Sequence, residues 1–313
     1  MITTLTLNPS VDRTVHLERL QVGEVQQLVR SEIEPGGKGI NVARALAING
    51  ASSAAVFPAD PVFADAARAE LDELDVVCTV VPREERTRTN LSITEGDGTT
   101  TKLNEPGPPL TEEAVDALLA AMVAAEVDGR LAAAGSVPAG AGGDIYVRLA
   151  ERLASPERSL AVDTSGPPLA ALAGTPCAVV KPNLEELQSL FEQPLASIGA
   201  VVEAVTELRR GGWGSVLVSL GGDGALLVDD GGVHHGRADV AEVRNTVGAG
   251  DALLAGFLSM PDGGPGALTE ALAWAHSAVR SPGTRAPAVT TSDRRAVALT
   301  PRIEPQSLLR EAL

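Results

Sequence analysis

Aromatic side chains are scarce in this 313-residue chain, with two Trp, one Tyr and four Phe, and there are only two cysteines, Cys78 and Cys177. Two cysteines are too few for a disulfide framework or a thiolate metal site. Seven aromatics leave little with which to stack on a nucleoside base. Basic charge is also short: 25 Lys and Arg stand against 41 Asp and Glu, for a net charge of −16. Nucleic acid and anionic membranes both require a basic face, so neither is expected as a partner. No run approaches the roughly 20 strongly apolar residues of a membrane span. The opening MITTLTLNPSVDR has no charged leader before an apolar run, so no secretory signal is expected and a cytoplasmic protein is the default. Lysine is the rarest charge. Only Lys38, Lys102 and Lys181 occur, leaving 22 of the 25 basic residues as arginine. A chain so biased keeps a lysine where something constrains it, and two of the three fall in the motifs below.

What is present reads as one globular domain over residues 1–313. ITTLTLN, SAAVF, VVCTVV, SLAVD, CAVV and SVLVSL are short, apolar, β-rich runs. Helical spacing follows Gly39 and recurs at about 62–74, from the cap at Thr111 through Val123, and at about 143–154, 184–191, 198–210, 249–259 and 267–280. Strands alternating with helices, several of them continuous apolar runs, predict an α/β architecture with a mostly parallel sheet covered on both faces. Two segments, about 10–33 and 87–105, instead carry polar, alternating strand patterns, and Gly96-Asp97-Gly98 is a hairpin signal. Neither fits a crossover between parallel strands, so together they predict a small antiparallel lid.

Four motifs carry the chemistry, three of them rich in glycine. In NTVGAGDALLAGF (245–257), Gly248, Ala249 and Gly250 open directly into a hydrophobic helix, whose unpaired N–H groups and dipole make an anion site. Asp251 in that site is odd unless it takes a proton while the amides stabilise a transferring phosphoryl group; a plain helix-start aspartate is the bland alternative. EPGGKGINVARAL (34–46) puts Gly37 and Lys38 where a loop enters a helix, with Asn41 on its first turn. It is neither the phosphate loop nor the dinucleotide fingerprint. In VVKPNLEEL (179–187), Asn183 and Glu186 stand three apart and suit either a water-bound Mg²⁺ or a reciprocal capping box. SLGGDGALLV (219–228) is a hairpin whose glycines would let a nucleotide lie against the backbone. Arg88, in TRTN (87–90), could fork onto a phosphate.

Taken in order, GGKGINVARAL, TRTN, GSVPAG (135–140), KPNLEEL, SLGGDGAL and TVGAGDALLAGF resemble the ribokinase-type, or phosphofructokinase B, carbohydrate kinases. LTLNPSVD (5–12), the lysine of GGKG and GEV (23–25) are most similar to the 1-phosphofructokinase and tagatose-6-phosphate kinase branch. The resemblance runs from residue 1 to about 285. It implies a ribokinase-like three-layer α/β/α fold with a β lid, and an ATP- and Mg²⁺-dependent kinase of a ketohexose phosphate, foremost fructose 1-phosphate. Tagatose 6-phosphate and fructose 6-phosphate are the rival substrates, and a non-catalytic sugar-phosphate sensor is the remote one. The resemblance makes Asp251 the catalytic base and Gly248, Ala249 and Gly250 the anion hole. It assigns Asp12, Gly37, Lys38 and Asn41 to the sugar, and Lys38 and Arg88, with Asn90 and Ser136, to the phosphate already on it. Lys181, Asn183 and Glu186 would face the ATP phosphates and Mg²⁺, and Ser219, Gly221 and Gly224 the nucleotide. The lid would form a homodimer interface. Asn245 and Ala252 depart from the residues usual at their positions, and 260–285 is short and rich in Pro and Gly for an adenine pocket.

Overall fold

The computed structural model describes residues 1–126, 129–191, 193–240, 242–281 and 285–310. The first half of the chain alternates as expected: β1 (Ile2–Leu5), β2 (Ser10–His16), β3 (Arg30–Gly36), α1 (Lys38–Ile48), β4 (Ser53–Ala59), α2 (Pro61–Asp72), β5 (Val77–Pro82), β6 (Arg88–Thr94), β7 (Thr100–Asn104) and α3 (Glu112–Glu126). Then follow β8 (Arg130–Ala134), α4 (Ile145–Arg152), the short α5 (Pro156–Ser159), β9 (Leu160–Asp163), the short α6 (Pro167–Ala171), β10 (Cys177–Val180), α7 (Leu184–Phe191) and α8 (Ile198–Arg210). The chain finishes with β11 (Trp213–Ser219), β12 (Ala225–Asp229), β13 (Gly232–Ala238), α9 (Ala249–Ser259), α10 (Gly264–Val279), α11 (Thr291–Arg295) and β14 (Val297–Leu299).

Ten strands form the main sheet in the order β14-β13-β12-β11-β10-β9-β8-β1-β4-β5. From β11 to β5 every neighbouring pair is parallel, and β12, β13 and β14 close the other edge antiparallel. Alternation along the apolar runs explains why both faces are covered. Val216 and Val218 of β11 belong to the buried cluster that holds Leu118, Met122, Leu149, Val201 and Val205, whereas Leu217 between them belongs to the cluster of Val42, Leu253, Leu254, Leu268 and Trp274. The helices thus divide into one layer with α3, α4, α7 and α8 and another with α1, α9 and α10. Gly256 lets α9 and α10 approach closely, since a Cβ there would sit 2.8 Å from the Glu270 carbonyl oxygen and from the Trp274 ring.

The lid is a separate four-stranded sheet in the order β3-β2-β6-β7. Its two hairpins are antiparallel, as the alternating segments predicted, while the seam joining β2 to β6 is parallel. That seam brings Ser10 opposite Arg88 and Asp12 opposite Asn90. The Gly96–Gly98 hairpin turn closes through Gly98 at φ 90° and Thr99 N–H donating to Asp97 Oδ1 at 2.9 Å. The Pro- and Thr-rich stretch after Ser281, opaque as sequence, supplies α11 and the edge strand β14. Residues 282–284 of the proposed adenine-pocket segment lie outside the described residues. No helix among the described residues is long and apolar enough to cross a membrane.

Candidate active site

The site lies where β1, β8, β9 and β10 end and the glycine motifs begin. Gly37 takes φ +128°, and a Cβ on it would stand 2.6 Å from Thr6 Cγ2, so the turn into α1 needs glycine on both counts. Thr6 Oγ1 accepts the Ile40 N–H at 2.9 Å and fixes the start of α1. Lys38, the first residue of α1, faces the end of β9. Its Nζ lies 3.0 Å from Asp163 Oδ1, and Lys181 Nζ lies 3.1 Å from the other oxygen, Oδ2. Asp163 is completely buried and Lys181 nearly so, while the Lys38 side chain keeps 39% of its exposure. Burial penalises a bare carboxylate, but the two ammonium groups hold Asp163 below the ordinary carboxylate range. Asp163 in turn raises the pKa of Lys38, with Asp251 and Glu186 adding to the effect.

Asp251 sits in the first turn of α9, behind Gly248, which takes the left-handed φ of 80°. Its side chain is buried, and Oδ2 accepts from Asn41 Nδ2 at 2.8 Å. Asn41 is oriented by Arg44, whose Nη1 donates to Asn41 Oδ1 at 3.0 Å. Arg44 is itself anchored on Pro35 O and Glu70. Burial, with the nearby Asp163 charge, pushes the Asp251 carboxyl up to about 6 against the pull of Lys38, Asn41 and Lys181. A carboxylate with that pKa at a helix N-terminus is a competent general base near neutral pH. The Lys181 ammonium reaches the same turn, standing 3.6 Å from where a Cβ on Gly250 would be.

A second cluster lies at the base of the lid. Asp12 Oδ1 accepts from Ser10 Oγ at 2.7 Å and from Asn90 Nδ2 at 3.0 Å. Its carboxylate lies against Gly36, where a Cβ would meet Oδ2 at 2.0 Å, and burial raises its pKa. Arg88 Nη1 donates to Glu105 O at 3.0 Å, and its buried Nε has no hydrogen-bond partner among the described residues. The charges acting on Arg88 are Asp12 and Glu105; those on Lys38 are Asp163, Asp251 and Glu186. Gly107 stands between Arg88 and Asn8: a Cβ there would meet Asn8 Oδ1 at 2.2 Å and Arg88 Cδ at 3.2 Å, while Lys38 Cβ would be 3.7 Å from a Cβ on Gly135, next to Ser136. Ser136, exposed in the loop after β8, accepts from Asn8 Nδ2 at 3.1 Å.

On the nucleotide side, a cavity of about 760 Å³ is lined by Asn183, Ser219, Gly221, Gly224, Ala249 and Gly250, among others. Gly224 at φ +90° would place a Cβ 2.1 Å from Gly236 O, so β12 and β13 meet there only through glycine. Asn183 and Glu186 form the reciprocal capping box of α7: Asn183 N–H donates to Glu186 Oε2 at 2.8 Å and Glu186 N–H to Asn183 Oδ1 at 2.7 Å. One Glu186 oxygen is left by that arrangement, and the charge is felt by Lys38. No cluster of three His, Cys, Asp or Glu side chains suited to a metal occurs among the described residues. A Mg²⁺ that keeps its waters and leans on nucleotide phosphates fits the single carboxylate better than an all-protein cage would. Asn245, at the edge of this region, accepts the Val247 N–H on Oδ1 at 2.9 Å.

Sequence reasoning missed Asp163, Arg44 and Asn8 as parts of the site. Asp163 carried a signal, a lone carboxylate closing the apolar strand SLAVD. Arg44 and Asn8 lay inside quoted motifs, but nothing local marked them.

This combination of fold and site has a family. The pfkB family of carbohydrate kinases matches residues 5–291, and the chain belongs to it. A 1-phosphofructokinase of Haloferax volcanii is 38% identical over 292 residues, covering 92% of this chain and 93% of that one. A 1-phosphofructokinase of Bacillus subtilis is 32% identical, covering 83% and 85%. Among solved structures, phosphofructokinase-2 of Escherichia coli in complex with potassium superposes with a TM-score of 0.85 at 29% identity, over 94% of this chain and 96% of that one. The three-layer fold with its β lid, and the kinase class, are as the motifs implied.

Proposed function

We infer that this protein is an ATP-dependent kinase that converts fructose 1-phosphate to fructose 1,6-bisphosphate. One observation carries the reading: a buried carboxylate, Asp251, shares the N-terminus of α9 with two lysines paired on one buried aspartate. The 1-phosphofructokinase relatives supply the sugar. Tagatose 6-phosphate and fructose 6-phosphate are the substrates it competes with. An ADP-release assay against fructose 1-phosphate, fructose 6-phosphate, tagatose 6-phosphate and fructose decides among them. Highest kcat/KM on fructose 1-phosphate supports the reading, and a preference for either 6-phosphate replaces it.

Each group then has a task. Asp251 takes the proton of the attacking sugar hydroxyl. The first-turn N–H groups at Gly248, Ala249 and Gly250 stabilise charge on the transferring phosphoryl group. Lys38 and Lys181, locked by Asp163, add two positive charges near that turn. In this reading Lys38, charged against Asp163 and Asp251, serves the transfer end, and the phosphate already on the sugar falls to Arg88 and its neighbours Asn90 and Ser136. Asp12, Gly37 and Asn41 hold the sugar. Asn183, Ser219, Gly221 and Gly224 line the nucleotide cavity. Mg²⁺ would neutralise nucleotide phosphate charge, held by Glu186 and its capping partner Asn183 through water. Closure of the lid excludes water, the competing acceptor.

The lid also proposes the assembly. Val22, Val25, Val29, Ile33 and Leu103 are exposed apolar side chains on or beside its strands, Val22 at 95% and Val25 at 102% of full exposure. Such a patch suits a homodimer built lid to lid. A cytoplasmic location fits dependence on ATP and two free cysteines.

A further inference from the structure

We propose that His276 is a positioning residue for the nucleotide site, a buried ring held at both nitrogens that pins one wall of the ATP cavity to helix α10. The proposal rests on reading that cavity as the nucleotide site. His276 is buried and lines the cavity together with Asp239, Val240, Val243 and Thr246. Its Nδ1 lies 2.9 Å from Asp293 Oδ1, and its Nε2 lies 3.2 Å from the Asp239 carbonyl oxygen. A backbone carbonyl can only accept. The Asp293 carboxyl is held below its ordinary range by Thr290 and His276, so it too is an ionised acceptor. Each ring nitrogen therefore faces an oxygen acceptor, one on α11 and one at the end of β13.

The position gives this contact its leverage. Asp239 begins the irregular connection from β13 to the anion-hole turn of α9. That connection is tied to α10 again at its far end, where Arg244 N–H and Asn245 N–H donate to Val279 O at 2.8 and 3.2 Å. His276 is the side-chain tie at the near end. The other charges around it are known. Arg280 on α10 lies 3.5 Å from Asp293 Oδ1, and Arg294 on α11 pairs with Glu270 on α10 while feeling Asp293. Arg237 of β13 lines the same cavity. Arg280 is half exposed, so the buried partner of Asp293 is His276. Asp239 is otherwise tied by its N–H, which donates to Ala296 O at 3.1 Å. Without the ring its carbonyl loses its side-chain tie to α10, and nucleotide affinity falls while the sugar end, held by other elements, is untouched.

The test compares wild type, His276→Gln and Asp293→Asn by MgADP calorimetry and by KM. At neutral pH, His276→Gln should raise the MgADP Kd and the KM for ATP about 3- to 10-fold, the weight of one ordinary hydrogen bond. The KM for sugar phosphate should stay within about twofold, since other elements hold that end. Asp293→Asn keeps the ring but weakens its anchor on α11, so it should raise the MgADP Kd in the same direction by a smaller factor. That variant carries the test if His276→Gln does not fold. Equal losses for nucleotide and sugar, or an unchanged MgADP Kd in both variants, overturn the proposal. A wild-type protein that binds no MgADP at all overturns the nucleotide reading instead.

Discussion

Around Asp251 the charges are paired before any ligand arrives, whereas around Arg88 they are not. At the transfer end, Asp163 binds Lys38 and Lys181 at once, and Asn41 is braced by Arg44 onto Asp251. At the base of the lid, Arg88 spends one nitrogen on a backbone carbonyl and leaves Nε buried without a partner among the described residues. The contrast fits the roles we propose for the two ends. Transition-state stabilisation works through dipoles and charges fixed in advance, so that no reorganisation is needed at the moment of transfer. A substrate phosphate is instead gripped on binding, and a guanidinium with spare donors serves that better than one already satisfied.

The most severe way to break the comparison is at the base. Asp251→Asn should lower kcat by at least about 10²-fold with ATP affinity preserved, because a general base acts in the chemical step. Near-normal turnover would remove Asp251 from that role. In wild type, kcat should climb with pH through about 6, where Asp251 ionises. The sign for stability is opposite. A carboxyl whose folded pKa is raised binds its proton more tightly in the fold, so its contribution is lost as pH rises through about 6. Asp251→Asn should therefore melt at a higher temperature than wild type at pH well above 6, even as it loses activity.

At the other end the effect should be smaller and of another kind. Arg88→Ala should raise the KM for fructose 1-phosphate about 10- to 100-fold, from about 1.5–3 kcal/mol per charged contact. The KM for ATP should hold, and the preference over unphosphorylated fructose should shrink. Parallel loss of ATP and sugar phosphate would move Arg88 into the transfer end and dissolve the distinction. Lys38→Met sharpens it from the opposite side, since a residue of the transfer end lowers kcat more than it raises the KM for the sugar phosphate. The smallest effect is expected at Glu186→Gln. Glutamine can still accept from Asn183 N–H and keep the capping box, so melting temperature should barely change. The Mg²⁺ concentration for half-maximal rate should rise several-fold once the charge is gone. An unchanged Mg²⁺ titration leaves Glu186 as a cap alone.

Reading the chain in one dimension worked where the physics is local. The GAGD turn, the Lys-Pro-Asn end of β10 and the 198–210 and 249–259 helices follow from glycine, caps and 3.6-residue spacing, and the structure places them at those residues. The lid was legible because period-two polar segments have no place in a parallel crossover, although nothing local revealed that β2 and β6 run parallel across its centre.

The residues we propose as base, anion site and phosphate clamp were thus visible in the sequence alone. What only the tertiary structure decided is which charges meet. Lys38 and Asp163 are 125 positions apart, and Asn41 and Asp251 are 210 apart. Attraction between such groups depends on a buried, low-dielectric meeting point that exists only once the parallel strands have stacked their ends together. The sequence named a lysine in a glycine loop. The sheet turned it toward a buried aspartate.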